Sequence, residues 1–307
     1  MGRRLSIAAA VATLALAAPL LYHLVSAHLG AALSAAHLRL LARFWQQRQA
    51  PGVYVCEPHA YTTEIVSADP LLIYIRDFIP ATEAAALVAA GEPDLVPSAV
   101  TKDRRNQHTS DRTSSSAALP ASDPAVACAL GRAEAFLGGL LDFSAPGRRG
   151  GSAEMGPPQL VRYTAGQRFN LHHDWYERPQ RARRDKAHLG RAWNRAASFF
   201  AVLEAEGCEG GETHFPYVRP AATEMARRAA VAGNNASRSA SSEGYELDGE
   251  DIRDGGGIAF RPVRGNAVFW VNLHANGTGD ERTMHAGLPL LEGRKTAMNI
   301  WPRQYYS

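Results

Sequence analysis

The run FNLHHDWYE (Phe169 to Glu177) sets two histidines and an aspartate side by side between aromatic residues. Imidazole and carboxylate are metal ligands, and their order decides which of them can act together. In an extended strand, side chains i and i+2 share a face while i+1 points away. His172 and Asp174 can therefore face one point, and His173 falls on the other side. Two ligands do not make a site, so a third must come from elsewhere. His188, His214, His274 and His285 are the candidates. His285 is the most suggestive, because RTMHAGLPLLEGRK reads as a strand, a Gly/Pro-marked bend and then Lys295. Two histidines and a carboxylate occupy one face of an octahedral ion and leave three positions open, an arrangement suited to non-haem Fe(II) and O2. Zinc accepts the same ligands with a bound water in the open position. The ligands alone do not choose between these metals.

The elements that must position them are mostly strands. From Leu160 onward QLVRYTA, RFNLHHDWY, AASFFAVLEA, GIAFRPVRGNAVFWVNL, TMHAGLPLLEG and KTAMNIWP are strand-length runs divided by Gly, Pro and Asn. Upstream, Leu71 to Ile79 reads as a strand, and PATEAAALVAAGE as a short helix capped by Thr82 and closed at Gly91. Asp103 to Asp123 is polar and Ser-rich and reads as a loop; Ala125 to Leu141 reads as a helix. The segment 218–257 is rich in Ser, Gly and Asp and reads as a surface insertion, partly disordered. The expected class is α+β, mainly β: a sandwich or barrel braced by helices.

Composition excludes some functions. A net charge of +3, with no Lys/Arg block interleaved with aromatics, argues against nucleic acid as a partner. After Arg3 and Arg4, residues Leu5 to Ala27 carry no charge, which is long enough to cross a bilayer. Residues 1–27 therefore read as a membrane anchor, the alternative being a cleaved signal peptide ending at Val25-Ser26-Ala27. Residues 28–60 follow as a stalk and linker, and 61–307 as the main domain. Either way the main domain enters the secretory lumen. Sequons at Asn235 and Asn276 agree with that. Cys56, Cys128 and Cys208 allow at most one internal disulfide, of unspecified pairing, and lack the CxxC spacing of a structural zinc.

The longer run QLVRYTAGQRFNLHHDWY resembles the Y-x-x-G-Q-x-[FY]-x-x-H-x-D motif of prolyl 4-hydroxylase catalytic domains, within the Fe(II)/2-oxoglutarate dioxygenases. Tyr163, Gly166, Gln167, Phe169, His172 and Asp174 each fall on a motif position. RAASFFAVLEAEGCEGGETHFP is similar to that family's R-x-x-[TS] strand and G-G-E-T-x-F-P. The stretch from Arg261 to Trp301 is similar to its P-x-x-G-x-A-x-F-W and H-x-G-x-P-x-x-x-G-x-K-x-x-x-x-x-W ending. YIRDFIPATEAAALVAAGEP and SDRTSSS resemble its opening strand-helix and R-T-S loop, so the likeness runs from about Leu71 to Trp301.

The resemblance implies a double-stranded β-helix, or jelly roll, flanked by helices. It implies Fe(II) on His172, Asp174 and His285, with 2-oxoglutarate and O2 as co-substrates and L-ascorbate as reductant. Lys295 would meet the far carboxylate of 2-oxoglutarate, with Tyr163 and Thr213 as hydroxyl donors. Phe169, Arg195, Trp301 and Arg112 fall where the family lines its pocket or meets substrate. The implied reaction is hydroxylation of peptidyl proline at C4, with 2-oxoglutarate converted to succinate and CO2, in the endoplasmic reticulum or another secretory compartment. The rivals are the same chemistry on a small molecule or another residue type, and a non-catalytic or hydrolytic metal protein. Hydrolysis has no need of a cation placed for a dicarboxylate, so Lys295 argues against the last. The likeness leaves out the segment 218–257 and any N-terminal peptide-binding domain, so an assembly with a disulfide isomerase is not implied.

Overall fold

The computed structural model describes residues 54–102, 105–138, 155–182, 190–219, 245–247 and 257–306. The expected anchor (1–27), the stalk up to residue 53, His188, the Asn235 sequon and most of the segment 218–257 lie outside the described residues. Among the described residues, no helix is long and apolar enough to cross a membrane.

The chain is mainly β. It opens with β1 (Thr62–Ala68), β2 (Leu71–Arg76) and helix α1 (Ala81–Gly91). Next come β3 (Val96–Pro97), the hairpin β4 (Val100–Lys102) and β5 (Arg105–Gln107), β6 (Ser115–Ala118) and helix α2 (Pro124–Gly138). Then follow β7 (Gln159–Thr164), β8 (Phe169–His172), β9 (Gln180–Arg181), β10 (Ala192–Arg195) and the long β11 (Ala197–Gly210). The remainder is β12 (Thr213–Phe215), β13 (Tyr245–Leu247), β14 (Ile258–Phe260), β15 (Ala267–Val271), β16 (His285–Gly287), β17 (Leu290–Ile300) and β18 (Arg303–Tyr306).

Eight strands form one sheet in the order β1-β2-β15-β11-β17-β7-β6-β3, and five form a second in the order β13-β14-β12-β16-β8. The interior of the sandwich is filled from both: Tyr74, Val161, Phe200 and Trp270 from the large sheet meet Phe215, Ile258 and Phe260 from the small one. The pleat sends alternate residues to the other side of the large sheet. There Phe199 and Phe269 pack on Phe136 of α2 with ring centroids 5.3 and 5.0 Å away. Covered on both faces, β11 is buried without a break from Ala197 to Leu203, which is why AASFFAVL shows no alternation. Two antiparallel sheets with helices on the outer face are consistent with the expected jelly roll.

Four expectations need correction. α1 has Pro80 at its N-cap and no side-chain cap, so Thr82 does not cap it; the capping side chain is Asp123, which accepts from the Ala125 and Val126 amides at the start of α2. The Asp103–Asp123 stretch contains part of a hairpin and β6, because Ser115 to Ala118 pairs with β7 despite its polar composition. GIAFRPVRGNAVFWVNL is two strands, broken where Pro262 lacks an amide hydrogen and Gly265 turns at φ +87°. The 218–257 segment contributes β13 to the edge of the small sheet and is not loop throughout.

A disulfide joins Cys56 to Cys128 on α2 and leaves Cys208 as the free thiol. It fastens the residues just before β1 to the helical face of the large sheet.

Candidate metal centre

Strand β8 carries His172 at its last position, and β16 begins with His285. The two are direct partners across the antiparallel pair. Asp174 lies two residues beyond β8, in a bend, so the shared face of His172 and Asp174 is only partly a strand property. The bend itself is pinned. Asn194 on β10 accepts from the Tyr176 amide and donates to the Tyr176 carbonyl, both at 2.8 Å. Trp175 donates to the Asp280 carbonyl at 3.2 Å, and its indole packs so closely on Gly279 that a Cβ there would overlap it.

Together these elements bring one ligand atom each from His172, Asp174 and His285 within 4.8 Å of one another. Both imidazoles are oriented from behind. The Nδ1 of His172 meets the Asn170 carbonyl at 2.8 Å, and that of His285 the Thr283 carbonyl at 3.0 Å. A carbonyl can only accept, so both Nδ1 atoms carry a hydrogen, and Nε2 is the nitrogen each neutral ring would offer as a ligand. Burial, reinforced by His285, holds the His172 imidazole well below its ordinary pKa. For Asp174 burial alone acts upward, but His285, Arg195, His172 and the Ser198 hydrogen bond outweigh it and keep the carboxyl ionised. Neutral imidazole beside ionised carboxylate is the protonation state that a divalent metal requires, so these residues fit one.

Ring stacking completes the support. Phe169 lies on the His172 ring at 3.6 Å between centroids, and the Arg112 guanidinium lies 4.7 Å from the other ring centroid, that of Phe169. His285 is packed by Phe215 at 5.2 Å and Trp270 at 4.8 Å. His173 stacks on Trp175 at 4.5 Å and stands outside the ligand cluster, as do His214 and His274. His274 faces Asp280 instead.

The cluster opens into a cleft of about 790 Å³. Tyr163, Thr213, Phe169, Arg112, Arg195 and Trp301 all border it. Lys295 does not. It is 1% exposed, directly opposite Tyr163 in the β7–β17 pair, with its ammonium behind the Tyr163 and Phe200 rings at 4.8 and 5.3 Å. The ammonium donates to the Gly211 carbonyl at 2.5 Å, and burial pushes its pKa down to about 8. Thr213 and Phe200 border both the cleft and the small cavity that Lys295 lines. Tyr163 is buried, which raises its hydroxyl pKa.

The expected substrate residues have more specific contacts than a pocket lining. Trp301 donates its indole hydrogen to Asp174 Oδ2 at 2.9 Å. Arg195 lies over the Trp301 ring at 3.6 Å and donates to the Asp174 carbonyl at 3.2 Å. Arg112 is held by Gln159 at 2.9 Å and Ser114 at 3.3 Å, and burial lowers its pKa. Two participants had no assigned role in the sequence reading: Ser198, which donates to Asp174 Oδ2 at 2.6 Å, and Asn272, which donates to Ser198 at 2.9 Å. The R-x-x-[TS] pattern marks Ser198, but nothing local connects Asn272 to it.

Comparison with known proteins agrees with this geometry. Residues 158–303 match the sequence profile described as 2OG-Fe(II) oxygenase superfamily. The chain is 28% identical over 250 residues to "Prolyl 4-hydroxylase 1" of Arabidopsis thaliana, covering 78% of this chain and 71% of that protein. It is 29% identical over 145 residues to "Probable prolyl 4-hydroxylase 4" of Arabidopsis thaliana, covering 47% of this chain and 40% of that protein. With "Prolyl 4-hydroxylase subunit alpha-3" of Homo sapiens it shares 27% over 243 residues, covering 79% of this chain and 35% of that one. The chain thus spans well under two thirds of the length of the last two. The matched residues contain all three ligand candidates and Lys295, and across them the chain is similar to the 2OG-Fe(II) oxygenase superfamily.

Proposed function

We propose that this protein is a 2-oxoglutarate-dependent dioxygenase that hydroxylates peptidyl proline at C4. One observation carries the reading: His172, Asp174 and His285 converge at a cleft whose wall at Tyr163 and Thr213 backs onto a buried lysine. Hydrolysis gives no reason to bury an ammonium there, whereas a dicarboxylate co-substrate does.

His172, Asp174 and His285 would hold the iron on one face. Bound Fe(II) supplies the activation of O2, coupled to conversion of 2-oxoglutarate to succinate and CO2. The protein's part is placement. An ammonium has three hydrogens, and the Lys295–Gly211 contact uses one, so two remain for the far carboxylate of 2-oxoglutarate. Tyr163 and Thr213 add hydroxyl donors from the cleft side. Phe169, Arg112, Arg195 and Trp301 form the wall that meets the prime substrate, joined by Trp175 and Tyr176. Aromatic walls of this kind suit proline rings in an extended, preorganised peptide.

We also assign the catalytic region to the lumen of a secretory compartment such as the endoplasmic reticulum, tethered through residues 1–27. The Cys56–Cys128 disulfide supports this, because such bonds persist in oxidising compartments. Ascorbate is the reductant that sustains turnover in this reading.

The test is mass spectrometry of proline-rich peptides incubated with the protein, Fe(II), 2-oxoglutarate and ascorbate. A gain of one oxygen on proline, with matching succinate, is expected. Succinate formed only with a small molecule present would replace the peptide substrate, and no succinate with any substrate would reject the reading.

A further inference from the structure

Asp174 offers two oxygens, and the structure treats them differently. Oδ2 accepts from Ser198 Oγ at 2.6 Å and from Trp301 Nε1 at 2.9 Å. Oδ1 faces the ligand cluster, 3.9 Å from His172 Nε2. Ser198 has a single hydroxyl proton, and Asn272 settles where it goes. The Asn272 Nδ2–H donates to Ser198 Oγ at 2.9 Å and occupies a lone pair, so the proton is left for Asp174. Ser198 and Asn272 are fully buried. Asn272 is itself fixed by its backbone, which donates to the Ala196 carbonyl and accepts from the Asp280 amide. The carboxylate is therefore clamped about its χ2 angle by donors from β11, from the end of β17 and, through Ser198, from the residue after β15.

We propose that Ser198, aligned by Asn272, and Trp301 are positioning residues that engage Asp174 Oδ2 and so make Asp174 a one-oxygen ligand through Oδ1. The proposal rests on the metal reading above and adds a reason for it. Were both oxygens to bind, only two of six positions would stay open, too few for a chelating 2-oxoglutarate and O2 together. The clamp keeps three. Partners of this kind behind a metal ligand contribute on the order of 10- to 100-fold in metal affinity.

The probe is Mn(II), a redox-stable divalent ion, titrated into metal-free protein and followed by the loss of its free electron paramagnetic resonance signal. Wild type should bind and His172→Ala should not; wild type failing to bind would remove the metal reading and this proposal with it. Ser198→Ala should bind Mn(II) roughly 10- to 100-fold more weakly. Trp301→Phe, which keeps a ring and removes the donor, should also weaken binding. Ser198→Thr restores the hydroxyl, and the R-x-x-[TS] pattern admits it, so it should return affinity toward wild type. A packing role would leave Ser198→Ala and Ser198→Thr equally impaired, and that result overturns the proposal. So does wild-type affinity in Ser198→Ala. Should Ser198→Ala fail to fold, Asn272→Ala and Trp301→Phe carry the same reading, and unchanged affinity in both rejects it.

Discussion

His285 is the direct cross-strand partner of His172, with ring centroids 4.3 Å apart, although more than a hundred residues separate them in sequence. Removing either imidazole, or the Asp174 carboxylate, should abolish succinate formation and divalent-metal binding together. His173→Ala should keep most of both, because that ring stacks on Trp175 outside the cluster. Succinate release and metal titration check this. A His173→Ala protein as inactive as His172→Ala would show that the ligand set is wrong.

Lys295 sets the 2-oxoglutarate dependence in this reading. Lys295→Ala should raise the concentration needed for half-maximal turnover roughly 10- to 100-fold, the size of a charge-assisted hydrogen bond of about 1.5–3 kcal/mol. Iron binding should persist.

The buried ammonium also predicts a pH effect. In the folded chain Lys295 releases its proton near pH 8, below its ordinary value of 10.5. Between those values the unfolded chain binds more protons, so this group makes the fold more stable as pH rises through that window and less stable below it. Binding a dicarboxylate needs the charged form and runs the opposite way. The rise in Tm produced by 2-oxoglutarate should be larger at pH 7 than at pH 9, and the difference should vanish in Lys295→Ala. An equal rise at both pH values in the wild type would reject the role.

Arg112 is held by Gln159 and Ser114 on the Phe169 side of the cleft, four β7 residues from the Tyr163–Lys295 pair. Arg112→Gln should therefore raise KM for the prime substrate about tenfold, one charged hydrogen bond's worth. KM for 2-oxoglutarate should stay unchanged. A shift in the 2-oxoglutarate KM instead would move Arg112 to the co-substrate.

The Cys56–Cys128 bond spans 72 residues. Cross-linking a loop of that length stabilises by about 2–4 kcal/mol, so reduction or Cys128→Ser should lower the denaturation midpoint by a corresponding amount. Cys208→Ser should leave it near wild type. Equal effects of the two substitutions would mean that the thiol packing, not the cross-link, matters.

Much of the fold was readable because strand and helix patterns are local. Strand-length runs such as QLVRYTA and the breaks at Gly and Pro mark elements without knowledge of their neighbours. What escaped depends on partners: β6 is polar and is a strand only because β7 pairs with it, and β13 exists because β14 offers an edge. Asp174 is an instructive middle case. The i, i+2 argument pairs it with His172, yet β8 stops at His172, and the geometry of the bend is set by Asn194 and by Trp175 packed on Gly279.

By itself the sequence determined the residue types and their local order: the His172-x-Asp174 spacing, the motif runs around them, and a lysine ten residues after a histidine. Those are properties of covalent spacing and of short-range φ/ψ preference. The tertiary structure decided which distant histidine joins the pair, because β16 lies beside β8. It also decided which cysteines meet and which oxygen of Asp174 is taken by Ser198 and Trp301. The first depends on antiparallel register between strands far apart in sequence, where a one-residue slip would turn one histidine to the opposite face; the other two depend on how α2 and the bend after β8 pack on the large sheet.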